Sequence, residues 1–124
     1  MAGILYLCAT PIGNLEDMTP RAQRMLAEAD IIAAEDTRHT LQLLNRFNIK
    51  GRLVRYDEHS KERQGAYLLD ELLSGKNIAL VSDAGFPGIA DPGEQLARLA
   101  IDAGVQVVPV PVSYTHLRAH ETLR

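Results

Sequence analysis

The chain has 124 residues, of which 46% are hydrophobic and 23% charged, with a formal net charge of −3. That length and balance suit one globular domain able to bury a core, and argue against a disordered chain or a general nucleic-acid binder. No apolar run approaches the roughly 20 residues of a membrane span, and the start, MAGILYLCATPIGN, lacks the basic flank and long apolar core of a signal peptide. Cys8, the single cysteine, excludes an internal disulfide and any cysteine-cluster metal site, and its apolar surroundings predict a buried, inert thiol suited to a reduced cytoplasmic setting.

In chain order, Ile4–Ala9 is a short apolar run ended by Thr10-Pro11, the pattern of a buried strand. Thr19 followed by Pro20 is a strong helix start, and the helix should run to about Ala29 with Ala22, Met25, Leu26 and Ala29 inward. Ile31–Ala34 reads as a second strand. A polar loop, Glu35-Asp36-Thr37-Arg38-His39-Thr40, then leads into a helix near Thr40–Phe47, with Leu41, Leu44 and Phe47 expected inward. Leu53–Tyr56 is the third predicted strand, and Ser60 can cap a helix over Lys61–Leu73 that Gly75 ends. Ile78–Ser82 is the fourth strand. A helix over Pro92–Asp102 stopped by Gly104 precedes the fifth strand, Val105–Pro109.

Five strands alternating with four helices predict an α/β fold: a five-stranded, mainly parallel sheet with helices on both faces. Ligands of such sheets bind beyond the carboxyl ends of the strands, which directs attention to residues 10–17, 35–40, 57–60 and 83–91.

Each of these segments has a functional and a plain reading. In Asp83–Asp91, DAGFPGIAD, two glycines and a proline fix a tight path along which backbone can approach a ligand, and two carboxylates can accept hydrogen bonds. Alternatively, the segment is a strand-to-helix turn in which Asp91 caps the helix that Pro92 opens. The segment TPIGNLED at 10–17 has one glycine, Gly13, and so lacks the G-x-G-x-x-G turn of a dinucleotide site. Gly13-Asn14 could equally supply only the positive φ of a turn. Glu35, Asp36 and His59 are candidate general bases, while Asp36 or Thr37 could simply cap a helix and His39 could be an exposed polar residue. Asp57-Glu58-His59 has no second histidine or cysteine at ligand spacing, so no metal is expected.

Charge is unevenly spread. Residues 38–63 hold seven Lys/Arg against three acids, a net +4, which leaves six against thirteen, −7, for the remainder. Such a segment could dock a phosphate backbone or be no more than a solvated face.

Three blocks, TPIGNLED at 10–17, EADIIAAEDTRHT at 28–40 and VSDAGFPGIADPG at 81–93, resemble in order and spacing the tetrapyrrole methylase superfamily. The EDTRHT block narrows the likeness to the branch of ribosomal RNA small subunit methyltransferase I. The resemblance covers residues 4–111 and implies a cytoplasmic, homodimeric enzyme of two α/β domains, with no membrane association. It implies S-adenosylmethionine as cofactor and a cytidine 2′-hydroxyl of 16S rRNA in the small ribosomal subunit as substrate. On this resemblance Pro11, Asp83, Ala84, Gly85, Gly88 and Ile89 line the cofactor cleft, and Arg38 and His39 face the RNA.

The chain departs from the family after Pro111, where Val112-Ser113-Tyr114 replaces the expected Gly-Pro-Ser-Ala turn. The expectation is therefore an N-terminal domain over residues 1–111, a non-native tail over 112–124, no second domain and no activity from this chain alone. His116 and His120 in that tail imitate a metal pair by spacing only; the alternative is a genuine C-terminal helix. Two other functions stay open at this point: a methylase of a tetrapyrrole or other small substrate, and a non-catalytic α/β ligand-binding module.

Overall fold

The computed structural model describes residues 2–9, 20–82 and 92–111. Within them the chain alternates strand and helix: β1 Ile4–Ala9, α1 Pro20–Glu28, β2 Ile31–Ala34, α2 Thr37–Arg46, β3 Arg52–Arg55, α3 Lys61–Leu73, β4 Ile78–Ser82, α4 Pro92–Asp102 and β5 Gln106–Pro111. The five strands form one sheet in the order β3-β2-β4-β1-β5, and every pairing is parallel. The expected α/β architecture is therefore present, with a fully parallel sheet.

Alternation along the strands divides the core in two. Cys8, Ile32, Ala34, Ala79, Val81 and Val110 meet Ala22, Met25 and Leu26 of α1 and Leu43 and Leu44 of α2 on one face. Leu5, Ile31, Ala33, Val54, Ile78 and Leu80 meet Leu68 and Leu72 of α3 and Leu96 and Ala100 of α4 on the other. Strands buried on both sides need no polar face, which is why all four residues of β2 are buried. The Cys8 thiol is fully buried and lies 3.9 Å from the Met25 sulfur, and burial pushes its pKa far above the ordinary thiol value.

Three helices end in the same way. At α2, Asn48 N–H donates to Asn45 C=O and Ile49 N–H to Leu44 C=O. Gly75 and Lys76 repeat the pair on Leu72 and Glu71, and Gly104 and Val105 repeat it on Ile101 and Ala100. The pivots Asn48, Gly75 and Gly104 have φ of 56°, 108° and 83°. These are Schellman caps, which satisfy carbonyls left over by the last turn and aim the chain into the next strand. Gly75 and Gly104 act as the sequence predicted; Asn48 takes the left-handed pivot without being glycine.

Several boundaries differ from the sequence reading. The second helix begins at Thr37, one turn earlier than expected, because Asp36 caps it by accepting the His39 N–H at 3.0 Å. Leu44 is buried and Phe47 packs partly against the core as expected, but the inward face is completed by Thr40 and Leu43, and Leu41, expected inward, is 49% exposed. β3 starts at Arg52, the partner of Ile31, one residue before the predicted start. β5 runs on to Pro111 as an edge strand, where residues lacking an N–H are tolerated.

One residue unmarked by the sequence ties three strand starts together. Asn77 accepts the Ile4 N–H through its side-chain oxygen, donates its own N–H to the Asp30 carboxylate, and accepts the Asp30 N–H at its carbonyl. β1, β2 and β4 are thereby set to a common level at their amino ends.

Candidate functional site

A common start and a continuous parallel register bring the carboxyl ends level as well. Ala9 is flanked by Ser82 on one side and Pro111 on the other, and Ala34 by Val81 and Arg55. The chain leaving β1 goes to α1 on one face, whereas the chain leaving its neighbour β4 goes to α4 on the opposite face. Two adjacent strands that send their connections to opposite faces leave a crevice at their carboxyl ends, the usual ligand position of an open parallel sheet. In the chain, β1 and β4 are followed by residues 10–19 and 83–91. Pro11, Asp83, Ala84, Gly85, Gly88 and Ile89, the residues expected to line a cofactor, lie outside the described residues, as do Asp91 and the 112–124 tail.

The other expected residues are described, and they sit on the same rim. Ala34 pairs with Arg55, and the Tyr56 N–H extends that pairing to Ala34 C=O at 2.8 Å, so the turns after β2 and β3 leave the sheet side by side. Glu35 and Arg38 are exposed. Asp36 is the cap of α2, so its carboxylate is engaged by the backbone. His39 is half-buried in the first turn of α2. His59 is exposed, and its backbone N–H donates to the Asp57 carboxylate at 3.0 Å.

Asp57, which the sequence offered only as part of an acidic-histidine cluster, is the organiser of its turn. One carboxylate oxygen accepts from the His59 N–H, the Ser60 N–H and the Ser60 hydroxyl, each at 3.0 Å. The other lies 3.7 Å from the Arg55 guanidinium. Desolvation works to raise the Asp57 pKa, but the Ser60 and His59 hydrogen bonds and the Arg55 charge outweigh it and hold the carboxyl below its ordinary value. Ser60, expected to cap α3 with its hydroxyl, makes no such cap: its backbone is already helical and its hydroxyl points back to Asp57. The only advance signal was an Asp three residues before a Ser, the spacing of a side-chain-closed turn.

The basic segment of residues 38–63 is not one patch. α2 and α3 both run from the carboxyl rim toward the amino ends of the next strands. Arg38, Arg55, Lys61 and Arg63 therefore belong to the rim, and Arg46, Lys50 and Arg52 to the opposite end of the sheet. On the rim, Arg55 pairs with Asp57, and Lys61 with Glu58 at 2.8 Å, an attraction that raises the Lys61 pKa. At the far end Arg52 lies 5.5 Å over the Tyr67 ring. Among the described residues no group of three or more His, Cys, Asp or Glu is placed to hold a metal ion, and no helix is long and apolar enough to cross a membrane.

Comparison with known proteins decides the family. The profile of the Tetrapyrrole (Corrin/Porphyrin) Methylases matches residues 4–117. The chain belongs to that family. It is 61% identical over 109 residues to Ribosomal RNA small subunit methyltransferase I of Halalkalibacterium halodurans, a match covering 88% of this chain and 38% of the relative. The Bacillus subtilis protein of the same name is 54% identical over 117 residues, covering 94% of this chain and 40% of the relative. That of Escherichia coli O157:H7 is 52% identical, with coverages of 88% and 38%. The chain thus spans about two fifths of the length of these relatives. Among solved structures, uroporphyrin-III-C-methyltransferase from Thermus thermophilus superimposes with a TM-score of 0.67 at 26% identity, covering 90% of this chain and 47% of that one. The crevice between β1 and β4 is accordingly a crevice of a methylase-family domain.

Proposed function

We propose that this chain is the N-terminal α/β domain of an S-adenosylmethionine-dependent methyltransferase acting on ribosomal RNA of the small subunit. The observation that carries this reading is the 61% identity, over 109 residues, to a relative named a ribosomal RNA small subunit methyltransferase. The family also contains methylases of tetrapyrroles, but the structural likeness to one stands at 26% identity, far below the rRNA-methylating relatives.

The cofactor site would lie at the β1–β4 crevice, with Pro11, Asp83, Ala84, Gly85, Gly88 and Ile89 holding S-adenosylmethionine. The described frame suits that role: two level strand ends with connections diverging to opposite faces leave room at the rim without interrupting the core. When bound, S-adenosylmethionine supplies an electrophilic methyl group. The protein's task is to bring a 2′-oxygen of a 16S rRNA cytidine in line with it, and positioning can provide much of the acceleration.

A ribose hydroxyl is a weak nucleophile, so a base at the rim would assist. Of the three candidates, Asp36 already serves as a cap, whereas the side chains of Glu35 and His59 make no hydrogen bond or ion pair among the described residues. Those two are the better bases. Asp57 would act as a positioning residue by fixing the backbone of His59. Arg38 and His39, at the start of α2, would meet the RNA, Arg38 as a phosphate contact. The working enzyme would be a cytoplasmic homodimer whose cleft needs a second domain, so the 124-residue chain by itself would show no turnover.

The test is a chimera. The chain is joined after Pro111 to the C-terminal remainder of the Bacillus subtilis relative and assayed with radiolabelled S-adenosylmethionine on unmodified small subunits. Ribose methylation of a 16S cytidine is expected from the chimera and none from the 124-residue chain. Label that appears on a base or on ribosomal protein would refute the reading.

A further inference from the structure

A cleft of about 190 Å³ lies on the α1 side of the sheet, between α1 and β5. Tyr6 and Val110 line it from the strands, and Arg21, Arg24 and Glu28 from α1, with Asn77 also in the lining. Arg21 and Arg24 are one turn apart, so they share one side of the helix with a rise of about 4.5 Å between them. Both are exposed, and among the described residues neither makes a hydrogen bond or ion pair. By contrast Arg55, Lys61 and Lys76 each pair with a carboxylate. Glu28 lines the same cleft but makes no ion pair with either arginine among the described residues.

Two unneutralised guanidinium groups against one carboxylate leave the cleft with net positive charge. Guanidinium forks match phosphate oxygens in a way that a solvated lysine does not. Tyr6 adds an aromatic surface of the kind that receives unpaired bases or riboses. Position favours the same ligand. Val110 pairs with Cys8, one residue short of the level of Ala9 and Pro111, and α1 starts at the carboxyl rim. The cleft therefore spans the sheet from Glu28 and Asn77 at the amino ends to Arg21 and Val110, which bring its other end close to the rim where methyl transfer would occur.

We propose that this cleft binds a phosphodiester of single-stranded RNA and so guides the strand toward the rim. The proposal rests on the rRNA-methyltransferase reading. It adds Arg21 and Arg24 as phosphate-binding residues outside the basic segment of residues 38–63.

The experiment measures binding of a labelled single-stranded RNA of about ten nucleotides to the 124-residue chain over a range of salt concentrations. Arg21→Gln/Arg24→Gln should weaken binding about tenfold at low salt and reduce the magnitude of the log–log salt slope by about 0.7 for each phosphate no longer neutralised. Glu28→Gln should tighten binding about twofold, an opposite change that misfolding would not produce. Unchanged affinity and slope in the double variant would overturn the cleft assignment while leaving RNA binding intact. Absence of RNA binding by the parent chain would also overturn it, and the chimera's methylation of small subunits would then judge the underlying reading separately.

Discussion

Asp57 and Ser60 close a turn on each other: the Asp57 N–H donates to the Ser60 hydroxyl, which donates in turn to the Asp57 carboxylate, both at 3.0 Å. The turn carries His59 on the rim, so its order bears on any role of that histidine. Because the Asp57 carboxyl is held below its ordinary value, its stabilising contribution is complete above that value. It is lost as pH falls through the lower, folded-state pKa. Asp57→Asn should therefore flatten the acid limb of the stability curve. Urea unfolding of both proteins at several acidic pH values checks this, and parallel curves would remove Asp57 from the account.

Asp36 is assigned to capping rather than to base chemistry, and the two roles respond differently to substitution. Asparagine caps about as well as aspartate, whereas alanine leaves the His39 N–H without its acceptor. Asp36→Asn should be nearly neutral in stability and Asp36→Ala should cost about 1 kcal/mol. In the chimera, Asp36→Asn should retain most methyl transfer. A large loss of kcat with unchanged stability would restore Asp36 as a base.

Gly104 separates conformational from steric cost. A Cβ there would meet nothing within 4 Å, yet its φ is +83°. Gly104→Ala should cost about 1 kcal/mol through backbone strain alone. Thermal unfolding provides the measurement, and a neutral result would mean that the α4 cap relaxes.

Gly3 is the opposite case. Its N–H donates to Leu72 C=O at 2.8 Å, and a Cβ at this position would collide with the Lys76 backbone carbonyl. Gly3→Ala should cost about 1–3 kcal/mol by forcing β1 away from the end of α3. The expected signature is a lower urea midpoint with an unchanged m-value.

The buried Cys8 thiol, with its raised pKa, should resist alkylation in the native protein at mildly alkaline pH and react readily in denaturant. Iodoacetamide labelling followed by mass spectrometry would show it. Rapid native labelling would contradict the packing of Cys8 against Met25.

The identity and order of the elements were written in local sequence. Apolar runs marked Ile4–Ala9, Ile31–Ala34 and Ile78–Ser82, and Gly75 and Gly104 marked helix ends, because strand burial and left-handed caps depend on short stretches of chain. The family likewise follows from residues in a row. Tertiary structure alone decided which distant segments meet: the order β3-β2-β4-β1-β5, the alignment of Ala9 with Ser82, and the division of the basic segment between opposite ends of the sheet. It also decided that Ser60 turns back to Asp57 and that Arg21 and Arg24 share a cleft with Val110, 86 positions further along the chain from Arg24. Parallel strands need long crossovers, so neighbours in the sheet are remote in the chain. No local pattern encodes their register; it is set only when both faces of the sheet are packed.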